Sequence, residues 1–197
     1  MRNITIAAVA SCVLFAAAAA TAQAQDSGIN QFGKNLGAGV AQGLKAGLLP
    51  AADKQFMIDA ASGGIAEVEM ARVALTRSNS TAVKEHAQVM INDHTQANDE
   101  LRRIATAKGV TLADVPNPNH KAMVDRLRDT PTSDFDKTYV REAGVQAHRE
   151  MQTLYRNESS SGLDPDLKAF AARTLPAVET HLKHSERLEE ELRASAR

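Results

Sequence analysis

Three histidines, His94, His148 and His181, and one acid, Glu67, each fall near the middle of a different amphipathic segment. Brought together, three neutral imidazoles and a carboxylate suit a single zinc, copper or iron ion, because imidazole ligates all three. The same side chains can instead satisfy one another. Glu67 in a charge-assisted hydrogen bond with a histidine would make a buried polar layer that fixes helix register, as one polar seam residue does in a coiled coil. Burying a neutral polar group without a partner costs about 2 to 7 kcal/mol. Such a layer must pair internally, bind something or admit water. His184, three residues after His181, offers a second ligand on that helix face. Met90, one turn before His94, and Met151, nearly one turn after His148, would soften a site towards copper, although methionine also fills core gaps.

The periodicity of apolar residues predicts the helices that carry these groups. Over Asp53 to Arg77, Met57, Ala61, Gly64, Val68, Ala71 and Leu75 recur at three- and four-residue steps. At about 100° per residue, Glu67 falls on that face, while Asp59 and Glu69 do not. Ser80 or Thr81 can cap a second helix, about Ala82 to Lys108, whose seam is Val83, Ala87, Met90, His94, Ala97, Leu101 and Ile104. Gly109 ends it. Residues 110–133 make a long connection containing Pro116, Pro118 and Pro131, with a short amphipathic helix over His120 to Arg128. A third helix starts at Ser133 as N-cap and runs to about Asn157. Its arc is Tyr139, Val140, Ala143, Ala147, Met151 and Leu154, with His148 at the edge. Asp164-Pro165 opens the fourth, whose seam includes Leu167, Val178, His181, Ser185 and Leu188, with a kink expected at Pro176. His86 and His120 are assigned to solvated faces.

Glu67, His94, His148 and His181 lie 14, 12, 15 and 17 residues from the starts of their helices. At about 1.5 Å per residue, these depths differ by no more than about 8 Å, so the four groups can share one level of a bundle. Short links within each helix pair and a long link between the pairs describe an all-α, ferritin-like four-helix bundle with a crossover between the second and third helices. Ala66-Glu67-Val68-Glu69-Met70-Ala71, Val89-Met90-Ile91-Asn92-Asp93-His94-Thr95-Gln96-Ala97-Asn98, Phe135-Asp136-Lys137-Thr138-Tyr139-Val140 and Thr174-Leu175-Pro176 followed by His181-Leu182 occur in that order. Together they resemble a bacterial exported family, the domain-of-unknown-function family four-one-four-two, sometimes labelled a predicted outer-membrane protein. The resemblance covers about Asp53 to Leu192 and implies a ferritin-like bundle without an established activity. Di-iron carboxylate bundles need Glu-x-x-His pairs on two helices. Here the residues three before His94, His148 and His181 are Ile91, Val145 and Val178, which argues against a di-iron centre.

The chain begins with Arg2, an apolar run from Ile4 to Ala20 and Ala22-Gln23-Ala24, the pattern of a signal peptide over residues 1–24. Export to the periplasm is therefore expected. Val9-Ala10-Ser11-Cys12 imitates a lipoprotein box, and a lipid anchor at Cys12 is the minor alternative, because only about six apolar residues precede it where an h-region needs roughly 7 to 15. Cys12 is the only cysteine, so cleavage after Ala24 leaves neither a disulfide nor a thiolate site. Residues 25–52 read as a Gly-rich flexible tether and 53–194 as the bundle domain. The chain has 23 basic and 24 acidic residues; cleavage removes Arg2 and no acid. Nothing in that balance indicates nucleic-acid binding or a polybasic membrane anchor, and no later segment is apolar enough to span a bilayer. Nucleophile elbows, phosphate loops and His-Glu-x-x-His are absent. The primary expectation is a non-enzymatic exported bundle acting by interaction in envelope maintenance or stress tolerance. Its partner is an unidentified envelope component or a second copy of the chain. The alternative is a metal-binding or redox-linked bundle with a mononuclear site at Glu67, His94, His148 and His181.

Overall fold

The computed structural model describes residues 49–195. The signal segment, Cys12 and the tether as far as residue 48 lie outside them. The described residues form helices α1 (Ala51–Arg77), α2 (Thr81–Ala107), α3 (Pro118–Asp129), α4 (Thr132–Tyr139), α5 (Ala147–Ser161) and α6 (Pro165–Ala194), with a π-helical segment, Val140–Gln146, between α4 and α5. No strand occurs among the described residues. Because α4, the π segment and α5 follow without a break, they make one long third helix. The bundle consists of α1, α2, this composite helix and α6. Its most extensive contacts are within two hairpins, α1 with α2 and α5 with α6. The crossover between the hairpins carries α3, which packs on α1.

Local chemistry sets most of the helix ends. Ser80 Oγ accepts the Val83 amide at 3.3 Å, and Asp164 Oδ1 accepts those of Asp166 and Leu167 at 3.1 Å each, with Pro165 at the first helical position. Gly109, at φ 71°, supplies the left-handed residue beyond α2. The third helix departs from expectation by starting at Thr132, after Pro131 and without a side-chain cap, so Ser133 is already inside it. Pro131 sits at the N-cap position, where its ring fixes φ at the helix entrance. The fourth helix continues through Pro176, and Thr180 Oγ1 donates to the Pro176 carbonyl at 2.8 Å.

The core divides into two apolar clusters. One contains Met70, Ala74, Val83, Ala87, Met90, Phe135, Tyr139 and Leu188; the other contains Phe56, Met57, Leu101, Met151, Tyr155, Phe170 and Val178. On each long helix the position of Glu67, His94, His148 or His181 falls between residues of the two clusters. Apolar burial, about 1.5–3 kcal/mol for a fully buried large side chain, holds each half together. A polar layer separates the halves.

Helix α3 is tied down along its length. At its start, Ser62 Oγ accepts the Asn117 amide at 2.8 Å and lies 2.7 Å from His120 Nδ1. At its end, the Arg77 guanidinium donates to the carbonyls of Leu127, Arg128 and Thr130 at 3.1, 2.6 and 2.6 Å, complementing the negative end of the helix. His120 is thus half-buried and partnered rather than free on a solvated face, because α3 folds back onto α1.

Candidate metal centre

Each member of the layer is buried, with exposures of 3% for Glu67, 6% for His94, 0% for His148 and 6% for His181. The three imidazole rings form a nearly equilateral triangle with centroid separations of 5.3, 5.4 and 5.4 Å. One nitrogen from each ring lies within 4.8 Å of the others. His94 Nε2 and His148 Nε2 face each other at 3.3 Å. Glu67 lies on the opposite edges of these rings, with Oε2 3.1 Å from His94 Nδ1 and Oε1 3.5 Å from His148 Nδ1. Neither contact is aligned as a hydrogen bond, so both carboxyl oxygens are buried without such a partner.

The π segment explains why His148 belongs fully to the layer. Read at 3.6 residues per turn, His148 falls at the edge of the apolar arc; a π turn takes in one more residue and rotates everything after it by about 100°. His148 Nδ1 meets the Ala143 carbonyl at 3.0 Å, five residues back. The carbonyl can only accept, so Nδ1 carries the proton and Nε2 presents a lone pair towards His94.

Gly144, within the same segment, lets α6 approach. A Cβ there would stand 2.7 Å from Ser185 Oγ and 2.8 Å from Ser185 Cβ. Ser185 has no room to retreat, since its hydroxyl donates to the His181 carbonyl at 2.8 Å and meets His86 Nε2 at 3.0 Å. Gly144→Ala is therefore expected to destabilise the protein by about 1–3 kcal/mol through overpacking. A urea midpoint equal to that of the wild type would show that the π segment and α6 are not in this close contact.

His86 corrects the sequence expectation of a solvated face, being only 1% exposed. It lies three residues after Val83 and four before Met90, spacing that already placed it on the seam side. Besides Ser185 it meets the ring of exposed His184 at 4.9 Å. His184 stands outside the imidazole triad, and Met90 and Met151 belong to the apolar clusters. Asp93 is the group that periodicity did not single out: its half-exposed carboxylate accepts from His181 Nε2 at 2.8 Å. The remaining His181 nitrogen, Nδ1, is buried without a partner.

Burial governs the charge state of the layer. Desolvation, reinforced by Glu150, pushes the Glu67 carboxyl up to about 8. Desolvation and the neighbouring His148 and His181 hold His94 well below its ordinary value. The same causes, burial and then His181, bring His148 down to about 4. At neutral pH burial thus holds Glu67, His94 and His148 towards their uncharged forms, with a proton on Glu67.

The family described as Domain of unknown function (DUF4142) matches residues 38–188. Among solved structures, the crystal structure of a DUF305 fragment from Deinococcus radiodurans is similar, with a TM-score of 0.64 at 13% identity, covering 73% of this chain and 98% of that one. That likeness concerns the helical fold alone. No curated protein matches the chain. No helix among the described residues is long and apolar enough to cross a membrane.

Proposed function

This chain belongs to the DUF4142 family, and from that premise we propose that it is an exported helical bundle whose chemistry is the binding of one transition-metal ion by His94, His148 and His181. The signal-peptide pattern of residues 1–24 supports export to the periplasm, with a lipid anchor at Cys12 as the lesser alternative.

The observation that carries the metal reading is the convergence of three buried imidazole nitrogens, with every ring facing an oxygen from its other nitrogen. His148 presents Nε2 because Nδ1–H donates to Ala143. His181 presents Nδ1 because Nε2–H donates to Asp93. Once loading displaces its proton, Glu67 beside His94 Nδ1 favours the tautomer that presents Nε2. Oxygens placed behind histidine ligands in this way set the tautomer and raise ligand basicity. Two nitrogens bound to one tetrahedral zinc at about 2.0–2.1 Å stand about 3.3–3.4 Å apart. His94 Nε2 and His148 Nε2 already have that separation, 3.3 Å. The three ligand atoms lie within 4.8 Å of one another, so completing the site requires an approach by His181 of at most about 1.5 Å. We assign Glu67 to orienting the ligands and balancing their charge. An all-nitrogen donor set suits zinc or copper(II) ahead of iron.

The uncharged forms favoured at Glu67 and His148 support a second reading, in which the layer only fixes helix register and the protein acts through its surface in the envelope. Elemental analysis after loading with zinc, copper or iron and desalting separates the two. The metal reading expects about one equivalent in the wild type and loss of that equivalent in His94→Ala/His181→Ala. No retained metal from any of the three would overturn it in favour of the register layer.

A further inference from the structure

The two hairpins are fastened to each other at one end by side chains of the helix termini. Asp53, in the first turn of α1 and 1% exposed, accepts the Leu163 amide at 3.1 Å and the Asp164 amide at 2.5 Å. A buried carboxylate of the first hairpin thus holds the turn between α5 and α6. Lys108, which follows α2, adds ion pairs to Asp164 and Asp166 at 2.7 Å each. Within this clasp lies Glu158, in the last turn of α5, 6% exposed and with Oε1 buried without a hydrogen-bond partner. Its carboxyl is pressed under the turn, since a Cβ on Gly162 would stand 2.4 Å from Oε1. The charges acting on it are Asp53 from α1, and Asp164 and Lys168 at the start of α6. Lys168 Nζ donates to the Ser160 carbonyl at 2.9 Å, so its ammonium is already engaged. Ionising Glu158 places a third negative charge beside two others, which disfavours the charged form while the clasp is closed.

We propose that Glu158 makes this clasp a pH-sensitive latch, closed when Glu158 is protonated and loosened when Glu158 ionises, so that the α5–α6 turn leaves Asp53 and the hairpins part at that end. The latch is separate from the imidazole layer and does not depend on metal. Burial, then Asp53 and Asp164, push the Glu158 carboxyl up to about 7 against the pull of Lys168. The closed clasp therefore holds the proton more tightly than the open one. Its added stability is fully present below 4.5, the ordinary value, and is lost as pH rises to about 7. This loss is local to the turn, which distinguishes it from a pH effect on the whole fold.

Hydrogen exchange of the Leu163 and Asp164 amides, followed by NMR in chelator and corrected for the intrinsic rate, reads the opening. Between pH 5 and 7 their protection in the wild type is expected to fall by about tenfold or more. The amides of Ala87 and Met90, inside α2, should show no such fall. Glu158→Gln should remove the fall at the turn. If that variant does not fold, the chemical shift of the Glu158 carboxyl carbon in the wild type carries the test, with titration expected near 7. Turn protection that is constant across this range, or that falls equally in folded Glu158→Gln, would overturn the latch. A parallel fall at Ala87 and Met90 would overturn it as well, by making the opening global, as would a Glu158 carboxyl that titrates near 4.5.

Discussion

Zinc at about a thousandfold excess over its dissociation constant should stabilise the folded protein by about 4 kcal/mol, and His94→Ala/His181→Ala should lose that increment. In a domain of this size the increment corresponds to a rise in melting temperature on the order of 10 °C. The double variant will also be less stable without metal, by about 2–5 kcal/mol, because two buried rings are removed from a packed interior. The informative quantity is accordingly the zinc-dependent change within each protein. Calorimetric scans with and without zinc measure it. A double variant that keeps the full increment would place the stabilising ion elsewhere.

A second large effect concerns pH. In the metal-free protein, stability should be greatest near pH 6–7 and fall on both sides. Glu67 and Glu158 are raised in the fold to about 8 and about 7, chiefly by burial. Between 4.5, their unfolded value, and those folded values, the unfolded chain binds fewer protons, so their contribution falls as pH rises. His86 and His148 are lowered to about 3 and about 4, again chiefly by burial, and His94 is lowered as well. As pH falls below their unfolded value of 6.5, the unfolded chain takes up protons that the fold excludes, and stability is lost. The opposing effects overlap between 4.5 and 6.5. Above 6.5 the carboxyls dominate; below 4.5 the histidines do.

Glu67→Gln isolates the alkaline limb. Glu67 should cost about 2 kcal/mol between pH 6.5 and 8, at about 1.4 kcal/mol per pH unit, and the amide should remove that loss. The same variant should bind zinc about 10- to 100-fold more weakly, because a neutral group replaces the carboxylate behind the ligands. Metal affinity in the wild type should increase towards pH 8, since loading displaces the proton held by Glu67. Chemical denaturation across pH 5–9 in chelator, repeated for Glu67→Gln, checks the stability claim. An alkaline limb that is unchanged in Glu67→Gln would remove Glu67 as its source.

Much of this arrangement is legible in the residues. The recurrence of Val83, Ala87, Met90, His94, Ala97 and Leu101 marks one helical face, and the positions of Glu67, His94, His148 and His181 anticipate a common layer, which the fold sets between two apolar clusters. His148 looks marginal only while the helix is assumed uniform. The π segment changes its phase, and a tertiary feature, the close contact of Gly144 with Ser185, accompanies that change. Asp93 is hidden for another reason: it lies about 100° around α2 from His94, and only the approach of α6 brings His181 to it. The role of Arg77 is hidden in the same way, because it depends on the end of α3 returning carbonyls to the guanidinium. Periodicity reports a helix face, whereas partners across helices depend on phase and packing.

X-ray absorption at the zinc edge, on protein loaded with one equivalent, addresses the central claim most directly. The expected result is a first shell containing three imidazole nitrogens at about 2.0–2.1 Å, with the imidazole scattering lost in His94→Ala/His181→Ala. A shell of oxygens without that scattering, unchanged by the double variant, would contradict metal binding by His94, His148 and His181.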